Sequence, residues 1–228
     1  MELGQFKINA IRLVGGVAVL DYLNTCNGRR PGTSLTEVVD KLGSLSDIVH
    51  WFLHAGLIDA AQHARDLQLV SREAGDHGSA FLALKRFRED LYGLLLSIAE
   101  GHVADQARLD ALSETLARTH ARRLLRGQGR AAFWAWRPND TLAQLADAYI
   151  DRLGLQVTHL LASTDLERLK VCATCDCDWL FLDTSRNGRR RWCQMNICGS
   201  REKAKRVDWR ASGVVLRGAV ISGHSYQE

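Results

Sequence analysis

Apolar residues in the first two thirds of the chain recur at intervals of three or four positions. This is the period of an α-helix that turns one face towards a core. The clearest run lies between residues 79 and 100, where this period is followed by Phe81, Leu84, Leu91, Leu94, Leu95 and Ile98. Earlier in the chain, Ser46 and Asp47 can cap a helix that Gly56 ends, and Asp59 can begin another. The pattern therefore predicts helices over 46–56, from 59 onwards, and over 79–100, 105–125 and 141–162.

Short segments of different character interrupt the helices. Residues 8–25 are apolar and β-branched around Gly15 and Gly16, which predicts two short strands about a glycine turn, with a helix as the alternative for the second half. The aromatic run 131–136 indicates a strand or a packed aromatic segment. The run 178–183 is apolar and bounded by acids, as a short strand is. We therefore expect a mainly α fold with small β elements, of the α+β class.

The size and composition fit a folded protein of one large domain, or of one domain and a small module. The chain has 228 residues, 46% of them hydrophobic, and only two prolines. No apolar run reaches the roughly 18 to 20 residues that span a bilayer. The N-terminal sequence has no signal-peptide pattern, so we expect a cytoplasmic protein with no membrane partner. We place a helical domain with an N-terminal β segment at 1–165, a small module at 166–211 and a tail at 212–228.

Five of the six cysteines lie between residues 172 and 198. Cys193 and Cys198 form one pair, and Cys172 pairs with either Cys175 or Cys177, all at spacings that let short turns deliver two sulfurs to one metal ion. A catalytic zinc site keeps an open position and usually recruits histidine or a carboxylate. No histidine lies between residues 164 and 223. The spacing therefore predicts one structural Zn²⁺ per chain, in a knot made of a β-hairpin and a helix.

Positive charge is concentrated in the same segment. Residues 184–211 carry nine Lys or Arg and two acids, a net of +7, whereas the whole chain carries +4. We expect a helix from Ser200 to Arg210 beside the zinc knot, and phosphate contacts that make this surface bind DNA. The alternatives are a protein or RNA partner, or a solvated face without one. The candidate DNA contacts are Arg186, Arg189, Arg190, Arg191, Arg201, Lys203, Lys205, Arg206 and Arg210, and Arg190, Lys203 and Arg206 are the phosphate contacts that we single out.

Residues 171–206 closely resemble the CGNR-type zinc finger of bacterial proteins described as stress-induced transcription regulators. The resemblance implies that Cys172, Cys177, Cys193 and Cys198 are the ligands and that Cys175 is a bystander. The name motif here reads CGSR, with Ser200 in place of asparagine; both residues are good helix N-caps. Family members carry an N-terminal, largely helical domain called ABATE. Its opening pattern is similar to GGVAVLDYLNT, residues 15–25 of this chain.

Two polar residues of that opening pattern, Asp21 and Asn24, are candidates for lining a small-molecule pocket, and the alternative is that they cap a turn. The sequence contains no Gly-rich phosphate loop, nucleophile elbow or Ser/His/Asp order, so we do not expect an enzyme. We expect a transcription regulator whose N-terminal domain senses a small-molecule effector or forms a homodimer. The alternative is a small-molecule-binding or protein-interaction protein in which zinc is only a structural staple.

Overall fold

The computed structural model describes residues 7–29, 38–72, 77–174 and 177–211, with the backbone alone for 206–211. Its helices are α1 Ala18–Leu23, α2 Leu45–His54, α3 Ala60–Arg72, α4 His77–Ala99, α5 Gln106–Leu116, α6 Leu142–Leu161 and α7 Ser200–Ala211. Its strands are β1 Cys26–Asn27, β2 Val39–Asp40, β3 Arg123–Gln128, β4 Ala131–Trp136, β5 Leu169–Val171 and β6 Leu180–Leu182. The strands pair in sequence order into three antiparallel two-stranded sheets. The expected mainly α fold with small β elements is confirmed.

The core is built around α6, which packs against α4 and α1 and is buried along most of its length. Phe52 of α2 stacks on Tyr149 of α6 with ring centroids 3.8 Å apart. Leu169, Leu180 and Leu182 of the third sheet belong to the same cluster of buried side chains as these helices. The strands beside the cysteines therefore share one hydrophobic core with the helical part of the chain.

The N-terminal segment is not the strand pair that its β-branched residues predict. Residues 7–9 form a helical turn, and α1 occupies the second half, as the alternative had it. The Asp21 carboxylate accepts hydrogen bonds from the backbone N–H groups of Val14 and Gly15, at 2.6 and 2.7 Å. Those donors are thus satisfied by a side chain rather than by a neighbouring strand, which is why no strand is needed there.

Two helix boundaries differ from their predictions. The cap of α2 is Ser44, whose hydroxyl accepts from the backbone N–H of Asp47, and not Ser46 or Asp47. Helix α5 ends at Leu116 instead of continuing to 125. The chain there enters the β3–β4 hairpin, so Leu124 lies on a strand and pairs with Ala135. Pairing with β4 overrides the helical period in this segment.

Residues 185–188 form a turn that the N–H of Gly188 closes on the Ser185 carbonyl at 3.2 Å, and Gly188 adopts a φ of +59°. This turn does not join two strands, however. The antiparallel partner of β6 is β5, and the basic run that follows β6 is an irregular loop. Throughout the residues that the structure describes, no helix is both long enough and apolar enough to cross a membrane.

Candidate metal centre and basic surface

Four buried cysteines converge at one point. The sulfur atoms of Cys172, Cys177, Cys193 and Cys198 all lie within 4.8 Å of one another. The Sγ atoms of Cys177 and Cys193 are 3.7 Å apart, and those of Cys193 and Cys198 are 3.5 Å apart. Zinc bound by four thiolates at about 2.3 Å implies sulfur separations of about 3.8 Å along each edge of the tetrahedron. The spacing and the all-sulfur donor set fit one structural zinc ion.

Each cysteine is held by local backbone geometry. Cys172 directly follows β5, and its N–H donates to the carbonyl of Trp179 at 2.9 Å, which extends the hairpin. Cys177 closes a tight turn through its N–H to the Thr174 carbonyl at 3.1 Å. Cys198 sits in the helical turn Met195–Gly199, which runs directly into α7. The hairpin thus supplies two sulfurs and the loop and helix start supply the other two.

Ser200 does not act as the N-cap that the motif implies. Its backbone is already helical, with φ −69° and ψ −42°, because the turn Met195–Gly199 continues into α7 without a break. Its hydroxyl donates to the Met195 carbonyl at 3.4 Å. The last two cysteines are therefore joined to α7 by a continuous helical segment.

Cys175 lies outside the described residues. The spacing left both Cys175 and Cys177 open as the partner of Cys172. The structure places Cys177 in the cluster with the other three sulfurs.

The buried carboxylate of Asp183 organises the basic loop. It accepts from Lys170 Nζ at 2.6 Å, from the backbone N–H of Arg190 at 2.8 Å, and from both the backbone N–H and the hydroxyl of Ser185. Burial raises the pKa of Asp183, but the hydrogen bonds from Lys170 and Ser185 outweigh it and hold that pKa well below its usual range. Lys170 also donates to the Gly188 carbonyl at 2.6 Å. Asp183 and Lys170 therefore fold residues 183–190 back against the β5–β6 hairpin.

Asp183 and Lys170 were missed by the sequence reasoning. The available signal was an aspartate directly after a strand and two residues before a serine, which is the pattern of a side chain that bonds the backbone two residues on.

The segment 15–25, which contains Gly15, Gly16, Asp21 and Asn24, connects the helical part of the chain to the β5–β6 hairpin. Asn24 pairs with both backbone groups of Leu180, accepting from its N–H and donating to its carbonyl, each at 2.9 Å. The carbonyl of Gly15 accepts from the N–H of Leu182 at 2.8 Å. Gly16 has a φ of +92°, and a Cβ atom there would lie 3.2 Å from Leu182. This segment thus forms hydrogen bonds with the backbone of β6 as a neighbouring strand would.

Asp21 and Asn24 were the candidates for small-molecule binding, and the contacts above engage Oδ1 of Asp21 and both polar atoms of the Asn24 amide. Both side chains are buried. Burial raises the pKa of Asp21 to about 6, although the hydrogen bonds from Gly15 and Val14 act in the opposite direction. A ligand-binding role for these two residues stays a prediction.

The candidate DNA-binding residues fall into three groups. Arg186, Arg189, Arg191, Arg201, Lys203 and Lys205 are exposed. Arg201 also donates to Cys198 Sγ at 3.5 Å. The side chains of Arg206 and Arg210 lie outside the described part of the structure. Arg190 forms the third group by itself, because its guanidinium points inward.

The guanidinium of Arg190 makes several internal contacts. Its Nε donates to the Trp192 carbonyl at 2.9 Å, its Nη2 donates to the Cys193 carbonyl, and its guanidinium lies 4.4 Å above the ring centroid of Phe181. These contacts hold the loop around the cysteines. They leave little of this side chain for a phosphate, so the exposed neighbours are better placed for that role.

A cavity of about 540 Å³ lies between the N-terminal segment and the cysteine cluster. Its lining combines four cationic side chains with an indole ring and three of the clustered cysteines. Among the residues that the structure describes, the lining contains no carboxylate and includes neither Asp21 nor Asn24. The cationic and apolar groups are Lys7, Arg12, Lys41, Arg201, Trp179 and Ile197.

Two family models match the chain. One, described as CGNR zinc finger, matches residues 168–211. The other, ABATE, described as "Putative stress-induced transcription regulator", matches residues 16–155. The two matches lie in the order that the resemblance implied, and all four clustered cysteines fall within the first. No curated protein matches the chain.

Proposed function

The chain belongs to the ABATE family, whose model matches well over half of it, and from this membership we propose that it is a cytoplasmic regulator of transcription that binds duplex DNA through its zinc module. The observation that carries the proposal is the zinc-held basic loop: Arg186, Arg189 and Arg191 are exposed on the loop that leads to Cys193, and exposed Lys203 lies on α7, which follows the turn that holds Cys198. The family description is that of a regulator, not of an enzyme.

Zinc binding supports this role by reducing the entropy cost of presenting the charges. The loop of residues 183–194 has no regular secondary structure, and its shape depends on Asp183, Arg190 and Cys193. A rigid loop presents its arginines in one arrangement, so less conformational entropy is lost when they meet phosphates. Arginine also suits phosphate because its planar fork donates two parallel hydrogen bonds.

The alternative is that the zinc ion only stabilises the fold and that the module does not bind DNA. Four thiolates and one Zn²⁺ carry a formal charge of about −2, which offsets part of the nearby positive charge. This alternative predicts no salt-dependent binding to duplex DNA. The measurement that tests the proposed function therefore tests the alternative as well.

The triple variant R186Q/R189Q/K203Q should weaken binding to duplex DNA and reduce its salt dependence. All three side chains are exposed. Each phosphate contact contributes about 0.9 to the slope of log K against log salt, so losing three should lower the slope by about 3 and the affinity by roughly ten-fold or more. Fluorescence polarisation with a labelled random-sequence duplex, titrated at several salt concentrations, measures both quantities.

A matched control is R65Q/R72Q/R86Q, which removes the same charge from exposed positions on α3 and α4. It should retain nearly the full slope. An unchanged slope in R186Q/R189Q/K203Q, or an equal loss in both variants, would reject the zinc module as the DNA-binding surface.

We further propose that the cavity beside the cysteine cluster holds the effector, and that this effector is an organic anion with an apolar part. The support is the described part of the lining, in which cationic side chains and the Trp179 indole face the same space. Arg12 donates to Gln194 at 2.8 Å across this space. A ligand that competes for Arg12 would thus act on the loop between Cys193 and Cys198.

Benzoate, as a probe of this chemistry, should raise the melting temperature of the zinc-loaded chain relative to chloride at equal ionic strength. The variant K7Q/R12Q should lose the shift, because it removes two of the cavity's cations. The variant R65Q/R72Q should keep it, since those residues lie on α3. No shift in the unsubstituted chain, or an equal shift in both variants, would count against this cavity as an anion site.

A further inference from the structure

The β3–β4 hairpin extends from the core with most of its surface exposed to solvent. Its strands pair in register from Arg123 opposite Trp136 to Gln128 opposite Ala131. Only the end next to the core is half-buried; the remaining positions of both strands are exposed. Neither the family descriptions nor the zinc-dependent function gives this element a role.

The hairpin and its flanks are strongly basic. Residues 115–139 contain six arginines, one histidine and no acid. Among the described residues, Arg118, Arg126 and Arg130 form no ion pair. Arg126 lies on β3 and Arg130 lies in the turn, so two of these charges are carried by the exposed end of the hairpin. Unpaired charge at this density favours an anionic partner.

The base of the hairpin is held firmly. Arg122 Nη2 donates to the buried Asp151 carboxylate on α6 at 2.6 Å, and Thr119 donates to the same carboxylate at 2.7 Å. The Arg123 guanidinium lies 4.9 Å from the ring centroid of Trp134 and 5.3 Å from that of Trp136. Because the base of the hairpin is anchored in this way, the exposed end of the hairpin is held in one orientation.

Exposed aromatic side chains lie on both faces of the ribbon. Trp134 is 47% exposed and shares a face with Leu125, which is 61% exposed; Phe133 is 48% exposed and lies on the opposite face with Arg126. A platform that stacks the bases of a single strand collects its aromatic residues on one side. Here the aromatic and charged groups surround the ribbon, which suits a site with phosphates on two sides.

A second copy of the chain fits this surface less well. A symmetric contact between two such hairpins would bring six arginines together, Arg123, Arg126 and Arg130 from each chain, with no acid in either hairpin to offset them. Like charges placed opposite one another across an interface are destabilising. Charge complementarity therefore favours nucleic acid over self-association.

We propose that the β3–β4 hairpin is a second DNA-contacting element, one that inserts into a groove of duplex DNA while its arginines meet the phosphates on both walls. The major groove is wide enough for a two-stranded β-ribbon. Trp134 and Leu125, which share one face of the hairpin, then supply apolar contacts to the groove floor. The inference takes duplex DNA as the ligand from the proposed function, but it concerns a different surface.

The test is the double variant R126Q/R130Q, measured by polarisation with the same duplex and with its single strand. Both side chains are exposed and unpaired, so the fold should be retained, and circular dichroism checks this. We expect the duplex salt slope to fall by about 2, at about 0.9 for each lost phosphate contact. The control R72Q/R86Q removes the same charge from the helical domain and should leave the slope nearly unchanged.

The outcomes separate the two surfaces. A reduced slope in R126Q/R130Q supports the hairpin, even where R186Q/R189Q/K203Q behaves like the unsubstituted chain and the zinc-module function fails. An unchanged slope in R126Q/R130Q overturns the hairpin's role, even where the zinc-module variant loses binding. A loss confined to the single-stranded probe, or a change in sedimentation from dimer to monomer with duplex binding intact, also overturns it.

Discussion

Replacing Cys177 with serine should release the zinc ion and unfold the segment between β5 and α7. The structural zinc ion contributes on the order of 10 kcal/mol to the folding of such a module, and the loop between Asp183 and Cys198 has no strand or helix of its own before residue 195. Because β5 and β6 share the core of the helical domain, the effect should extend into that core. Elemental analysis should find one zinc per chain before the substitution and almost none after it.

The chain offers two matched controls for this result. Cys26 is buried outside the cluster, so Cys26→Ser should keep the full zinc content. Cys175→Ser should keep it as well, if the resemblance assigns the ligands correctly. Zinc retained by Cys177→Ser, or lost by Cys175→Ser, would contradict the four-cysteine site.

Replacing Asp183 with alanine should lower the free energy of unfolding by about 3 to 5 kcal/mol, because it leaves the half-buried ammonium of Lys170 without its carboxylate and removes the acceptor for Ser185 and Arg190. Asp183→Asn should cost less, since the amide keeps an acceptor oxygen but loses the charge. Urea denaturation of the zinc-loaded chain, followed by circular dichroism, measures both losses.

Asp165 is an exposed aspartate near the same hairpin, and Asp165→Ala should change stability by less than about 0.5 kcal/mol. The pH dependence gives a second check. Since the pKa of Asp183 is held below its usual range, its stabilisation is fully present above about pH 4 and is lost as the pH falls further. Equal losses in Asp183→Ala and Asp165→Ala would exclude the organising role.

The metal site could be predicted from the sequence because its four ligands lie close together along the chain. Cysteine spacing limits which sulfurs can share an ion, and the absence of histidine favours a closed site. The helices α4 and α6 were predicted for a similar reason, since each repeats its apolar period over about twenty residues. Spacing alone left Cys175 and Cys177 open, because both form turns of suitable length.

The remaining features depend on contacts that the pattern of residue types along the chain does not indicate. Asn24 bonds Leu180 across 156 positions, and nothing in the segment around either residue indicates the partner. Arg190 lies between two exposed arginines in sequence, yet its guanidinium points inward because Phe181 and the Cys193 carbonyl lie there. The β3–β4 hairpin replaces a predicted helix because six residue pairs form across its turn, and their benefit exceeds local helical preference.

Binding of the DNA backbone by the zinc-held basic loop and by Lys203 of α7 is tested most directly by the affinity of the zinc-loaded full chain for random-sequence duplex DNA. This affinity is measured over a series of salt concentrations. We expect a linear fall of log K with log salt, with a slope whose magnitude drops by about 3 in R186Q/R189Q/K203Q. Absence of duplex binding at low salt, or binding that does not respond to salt, would contradict it.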